Sequence, residues 1–159
     1  MSAGWEERVA DLWASFDDLD EATFLARMDG LAAELPAAVA EFERASAFDS
    51  TGHEQEAVAH YRRALELGLD DTRRRRATIQ LASSLRNIGE VDASVALLTA
   101  EREQPSDELD DAVAAFLALA LLDAGREREA VSVALGALAP HLPRYQRSLA
   151  GYAAEIGRE

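Results

Sequence analysis

The sequence has no cysteine in its 159 residues, which excludes disulfide bonds, thiolate nucleophiles and thiolate metal sites. It also has no lysine, so all sixteen basic residues are arginines. Proline occurs only four times, and aromatic residues make up 6% of the chain. Because alanine and leucine dominate while β-branched residues are sparse, the composition favours α-helix over β-strand almost everywhere.

Positive charge is scarce. Thirty acidic residues face sixteen basic ones, and the net charge of −14 argues against binding to nucleic acid or to an anionic membrane. No apolar run approaches the roughly 20 residues that a bilayer span requires, so no membrane segment is expected. The start MSAGWEER lacks a cationic stretch followed by an apolar one, so we expect no signal peptide and a cytoplasmic, acidic protein.

Patterns typical of catalysis or of metal and cofactor binding are also missing. Adjacent carboxylates, as at Asp70 and Asp71, lie near predicted helix starts, where capping and solvation explain them. The histidines His53, His60 and His141 do not have the HExxH spacing of a metal site. We therefore predict a chain that is not an enzyme, with no catalytic residue, no cofactor and no metal ligand.

An internal repeat is the strongest pattern in the chain. It consists of a small residue, a large apolar residue, a glycine, a second small residue and a valine, at fixed spacing. The three copies are Ala45, Phe48, Gly52, Ala57, Val58; Ala82, Leu85, Gly89, Ser94, Val95; and Ala118, Leu121, Gly125, Ala130, Val131. Self-similarity at this period is typical of an array of short supersecondary units, which forms a binding surface rather than an active site.

Each copy predicts a helix pair joined by a tight turn at its glycine. The first helices are expected at 37–50, 72–87 and 108–123, and the second helices at 54–67, 91–103 and 127–139. Two apolar stripes in 1–36 predict an N-terminal helical hairpin, with Pro36 ending its second helix or opening the next. A last stripe in 141–159 predicts a capping helix with one apolar face, formed by Leu142, Tyr145, Leu149, Tyr152 and Ile156. We therefore expect an all-α fold in a single helical domain, 1–159, with the repeats in 37–140.

The repeats resemble the tetratricopeptide repeat over about residues 38–140. The second helix of the first copy carries Gly52, Ala57, Tyr61, Ala64 and Leu65 where the family has glycine, alanine, an aromatic residue, alanine and leucine. The period exceeds the family's 34 residues by two or three, and the family's tryptophan position holds other residues. The resemblance implies an α-solenoid of three helix hairpins. A related α-solenoid or a compact helical bundle is the structural alternative.

By the resemblance, the first helices line a concave groove that binds a partner peptide or helix. The residues it places in the groove are Phe42, Ser46, Asp49, Arg76, Ile79, Ser83, Arg86, Ala112, Ala115, Leu119 and Leu122. Apolar side chains in the groove would supply affinity, while Arg76 and Arg86 would orient an acidic group of the partner. The resemblance thus implies a non-enzymatic protein–protein interaction module whose partner is a protein or peptide.

Other uses of the chain stay open at this point. One alternative is that the apolar surface serves self-association, which would make the protein a homo-oligomerising structural adaptor or a homodimer. A helical bundle around a small-molecule pocket is a third reading. Trp5, Trp13 and Phe16 have the spacing of an amphipathic helix docked on the array, or of a self-association surface. The run Arg73–Arg76 is expected to pair with neighbouring acids or, alternatively, to face a ligand.

Overall fold

The computed structural model describes residues 4–158, and the regular structure in this range is helical, without a β-strand. The α-helices are α1 (Trp5–Ala14), α2 (Glu21–Ala32), α3 (Ala37–Ser50), α4 (Glu54–Leu67), α5 (Asp71–Asn87), α6 (Val91–Arg102), α7 (Asp110–Asp123), α8 (Glu127–Leu138) and α9 (Gln146–Ile156). Short 3₁₀ helices lie at Phe16–Asp18 and Ala139–His141. The all-α prediction is confirmed, and no helix in the described range is long and apolar enough to cross a bilayer.

The helix bounds follow the sequence closely in the repeats and less closely at the C-terminus. Helices α3 and α4 begin and end at the predicted residues, and Pro36 precedes α3 as its N-cap. Helix α9, in contrast, starts only at Gln146, because Tyr145 has a left-handed backbone conformation with φ of 69°. Leu142 and Tyr145 therefore lie outside the last helix, although their spacing predicted one continuous stripe.

The repeat glycines form three turns of the same geometry. Gly52, Gly89 and Gly125 have φ of 80°, 89° and 72°, in the left-handed region that side chains with a Cβ disfavour. The residue after each glycine donates its N–H to the carbonyl of the large apolar residue of the repeat. These bonds are His53 to Phe48 at 2.9 Å, Glu90 to Leu85 at 2.8 Å and Arg126 to Leu121 at 2.9 Å. Such bonds satisfy carbonyls that would otherwise lack a partner at the helix ends.

The chain divides into two compact units, Met1–Ser84 and Leu85–Glu159, with the boundary inside α5. In the first unit the predicted N-terminal hairpin, α1 and α2, packs on α3. The indole Nε1 of Trp13 donates to buried Glu43 at 2.9 Å, and the rings of Trp13, Phe16 and Phe24 are in contact. The aromatic residues of α1 are therefore docked on the chain itself, as the first of the two readings predicted.

Helix α5 lies against the first repeat within the same unit. The Arg76 guanidinium stacks over the ring of Phe42 at 5.1 Å, and Ser84 Oγ donates to Asp49 Oδ1 at 3.1 Å. Arg73 bonds Asp70 at 2.9 Å and stacks over the Trp5 ring at 5.2 Å, so α5 also contacts α1. The prediction that the arginine run pairs with neighbouring acids is thus confirmed at Arg73.

In the second unit, α7 packs between α6 and α8, and α9 packs on α8. Ser132 Oγ of α8 donates to the Ala153 carbonyl of α9 at 2.6 Å. Ala153 is buried and Leu149 and Ile156 are half-buried, so these residues form the inner face of α9. Tyr152 is 63% exposed and does not join that face, contrary to the single apolar stripe expected from the sequence.

The turn geometry predicts opposite effects for two glycine-to-alanine substitutions in the first unit. Gly52→Ala places a Cβ in a left-handed conformation and should lower the free energy of unfolding by about 1–2 kcal/mol. Gly30→Ala, at an exposed position of α2 where a Cβ meets open space, should raise it by up to about 1 kcal/mol. Urea unfolding followed by circular dichroism measures both. Equal shifts of the two midpoints would contradict this account of the turn.

Candidate functional site

Most of the predicted groove residues of the first two repeats are used inside the first unit. Phe42, Ser46 and Ile79 are buried, while Asp49 and Ser83 are half-buried. Arg76 is the only exposed member of this set, and its guanidinium covers Phe42. In this conformation a partner would therefore reach Arg76 and part of the Asp49 and Ser83 side chains. It would not reach Phe42, Ser46 or Ile79.

Asp49 lies at the centre of a small hydrogen-bond network. It accepts from Ser84 Oγ at 3.1 Å, and the Tyr61 hydroxyl lies 3.4 Å from its Oδ2 and 3.3 Å from Ser46 Oγ. Burial raises the pKa of Asp49 above its ordinary value, since desolvation disfavours the carboxylate more than the Ser84 bond favours it. Burial likewise raises the pKa of the Tyr61 hydroxyl. The network therefore joins α3, α4 and α5 rather than presenting groups to a ligand.

The remaining predicted groove residues lie in the second unit and divide into two kinds. Arg86 is half-buried and donates to Asp123 at 2.9 Å, so it is engaged with an acid of its own chain. Leu119 and Leu122 of α7, in contrast, are 42% and 52% exposed. That Arg86 orients an acidic group of a partner stays a prediction. The two leucines, in contrast, are accessible to a partner in the free chain.

The exposed leucines belong to a face whose counterparts are covered in the earlier repeats. The valine of the repeat shows this most directly: Val58 is 5% exposed and Val95 8%, whereas Val131 is 46% exposed. Three positions later, Tyr61 and Leu98 are fully buried, and the third repeat has the exposed Ala134. The position ten residues before the glycine likewise changes from buried Phe42 and Ile79 to exposed Ala115. The third repeat therefore leaves uncovered the face that the first two bury.

This open face forms a cleft of about 450 Å³ between α7 and α8. Its lining is apolar except for one carboxylate, and consists of Ala115, Ala118, Leu119, Leu122, Glu127, Ala130, Val131 and Ala134. The family resemblance implies a groove position for Ala115, Leu119 and Leu122 of this lining but not for Val131 and Ala134, because it assigns the groove to first helices alone. The sequence held no signal for the exposure of Val131, since the same repeat position has a valine in all three copies and only the structure shows that Val58 and Val95 are buried.

Acidic groups border the cleft at both ends. At the turn end are Glu127, which forms no ion pair within residues 4–158, and Asp123, which is held by Arg86. Nearby Arg126 is neutralised by Glu129 through two bonds of 2.7 Å, and these bonds lower the pKa of Glu129. At the other end Asp111 contacts His141 at 2.7 Å. Of these acids only Glu127 is without a partner in the described range, so the cleft presents apolar side chains with one uncompensated carboxylate at its turn end.

The described residues do not contain a cluster of three or more acidic or histidine side chains that could hold a metal ion. His53 and His60 contact Glu21 and Glu41, each at 2.6 Å, so the two histidines serve separate surface pairs. A smaller cleft of about 280 Å³ beside α2, α3 and α4 contains Asp29 and Arg44, which pair with each other at 2.8 Å. The chemistry that the α7–α8 cleft offers is therefore burial of apolar side chains.

The raised pKa of Asp49 predicts a pH-dependent effect of Asp49→Asn. Because the pKa is higher in the folded than in the unfolded chain, the charged form destabilises the fold above that pKa, and this loss disappears as the pH falls through it. The variant should be more stable than the wild type at neutral pH, by a margin that shrinks in mild acid. Urea unfolding over a pH series measures this, with exposed Asp11→Asn as control. A margin independent of pH would contradict the buried-carboxylate account.

Comparison with known proteins agrees with the repeat geometry. The model of the tetratrico peptide repeat family matches residues 38–156, about three quarters of the chain, from the second residue of α3 to the end of α9. No curated protein and no solved structure matches the chain. Members of this family are generally protein–protein interaction modules without enzymatic activity. The match and the three glycine turns establish that the chain belongs to the tetratricopeptide repeat family.

Proposed function

We propose that this chain is a protein–protein interaction module that receives a partner helix on the open α7–α8 face. One observation carries the proposal: positions that the first two repeats bury are exposed in the third. Stacked helical repeats bury such a face under the following helix, and an uncovered one leaves apolar surface in water. A helix from a partner would complete the contact that the third repeat leaves open.

The residue types on this face favour a binding surface over a face that is exposed only because the array of repeats ends there. Six and three residues before the glycine, the first repeat has Ser46 and Asp49, and the second has Ser83 and Arg86. The third repeat has Leu119 and Leu122 at these positions, so its exposed face is more apolar than its covered counterparts. Exposed leucines at this density are typical of an interaction surface.

Recognition would follow the helix-in-groove mode. Leu119 and Leu122 lie one turn apart on α7, and Val131 and Ala134 lie one turn apart on α8, so the cleft has two parallel apolar walls. A helix with small or aliphatic side chains on one face would fill the space between them. The other predicted groove residues, among them Arg76 and Arg86, would contribute orientation at most, since they already contact Phe42 and Asp123.

The proposal predicts that Leu119→Gln/Leu122→Gln abolishes partner binding without loss of stability. Both leucines are exposed in the free chain, so their replacement should change the melting temperature little. Each leucine buried in a complex contributes about 1.5–3 kcal/mol, so loss of both should weaken binding at least about a hundredfold. Affinity capture from lysate of the native host, followed by mass spectrometry, compares the proteins retained by wild type and variant.

Leu67→Gln is the matched control, because Leu67 is a leucine of similar exposure on α4, in the other unit. Proteins retained by the wild type and by Leu67→Gln, but not by the double variant, would be the expected partners. Identical retention by all three proteins would overturn the assignment of the interaction to the α7–α8 face.

A further inference from the structure

We propose that the helix received by the α7–α8 cleft is α9 of a second copy of this chain. The inference rests on the proposed function, because it takes the cleft to be a docking site. Its starting point is the outer face of α9, which points away from α8. Arg147, Gly151 and Ala154 lie on this face at spacings of four and three residues, Arg158 lies two residues beyond the end of the helix, and all four are exposed.

The α9 outer face has the shape that the cleft requires. Ala150, Gly151 and Ala154 are small, and a Cβ placed on Gly151 meets nothing within 4 Å, so the helix surface there is open. Small residues let another helix approach closely, and the cleft presents larger side chains, Leu119 and Leu122, that can pack into such a surface. The two surfaces are therefore complementary in size.

The charges of the two surfaces are also complementary. Within the described residues Arg147, in the first turn of α9, and Arg158, two residues beyond its end, form no ion pair. Of the acids near the cleft ends, Asp123 is paired with Arg86 and Asp111 contacts His141. Glu127, unpaired in the same range, adds a further negative charge at the turn end. The arginines that flank the small residues of α9 are thus opposite in charge to the unpaired carboxylate at the turn end of the cleft.

The cleft and the outer face of α9 both belong to the second unit. Because every copy of the chain carries both complementary surfaces, a second copy is favoured over an unrelated protein as the occupant. The chain carries a net charge of −14, so most of its surface would repel another copy. The outer face of α9 is an exception to this repulsion, because Arg147 and the adjacent Arg158 are opposite in charge to Glu127 at the turn end of the cleft. In a pair related by a two-fold axis, each α9 would enter the cleft of the other copy, so the same contact would form twice.

The test is the oligomeric state of the full chain, measured by sedimentation velocity over a concentration series. Wild type should dimerise, and Arg147→Glu/Arg158→Glu should weaken the dimer about tenfold or more, as should Leu119→Gln/Leu122→Gln. Reversing the cleft charges in the arginine variant, with Asp111→Arg/Glu127→Arg, should restore the dimer. Arg62→Glu, on the exposed side of α4, is the charge control and should leave the dimer unchanged.

The absence of cysteine allows a second, direct measurement. Chains carrying Leu122→Cys and chains carrying Ala154→Cys, mixed and oxidised, should form a mixed disulfide dimer if α9 of one copy enters the cleft of the other. A chain carrying both cysteines that closes only an internal disulfide would mean that α9 covers its own cleft, which overturns the inference.

The outcomes also separate the inference from the proposed function. A wild type that stays monomeric while Leu119→Gln/Leu122→Gln still loses its lysate partners overturns the second-copy inference and leaves the proposed function standing. A dimer that neither the arginine nor the leucine variants weaken overturns the inference as well, since the copies would meet elsewhere. If the leucine variant also retains every lysate partner, the proposed function fails with it.

Discussion

The structure depends on the coverage of one helix pair by the helix that follows it. A hairpin of two amphipathic helices cannot bury its apolar surface alone, so each pair requires an outside element. In the first unit α5 supplies it, with Arg76 over Phe42 and Ser84 bonded to Asp49. In the second unit α7 packs on α6, whose Leu98 is fully buried. In the α7–α8 pair, α6 packs on α7 and α9 packs on α8, and the apolar face that these two helices leave open is the candidate site.

The repeat signature has a physical cause at each of its positions. Its glycine takes a positive φ, and its large apolar residue, Phe48, Leu85 or Leu121, accepts the bond that closes the turn. Its first small residue is fully buried as Ala45 and as Ala82, where a larger side chain would separate the paired helices. The same five residues therefore produce the same turn three times, even though the residues between them diverge.

Several arginines, among them residues for which a partner contact was predicted, form ion pairs within the chain. With almost two acids for each arginine, a guanidinium in this chain usually finds a carboxylate of its own fold nearby. Arg86 meets Asp123, Arg73 meets Asp70, and Arg126 meets Glu129 through two bonds. These exposed or half-exposed pairs contribute little stability each, but they occupy the cations that would otherwise orient a partner. Apolar surface is consequently the more distinctive binding feature of this protein.

The sequence by itself determined the helices, the turns and the family. The bounds of α3 and α4 and the left-handed glycines followed from local spacing, because helix hydrogen bonds and turn conformations involve residues close in the chain. Tertiary structure alone decided which apolar positions stay open. Val58, Val95 and Val131 have the same place in their repeats, yet only Val131 is exposed. Burial depends on which distant helix covers a residue, and no local pattern carries that information.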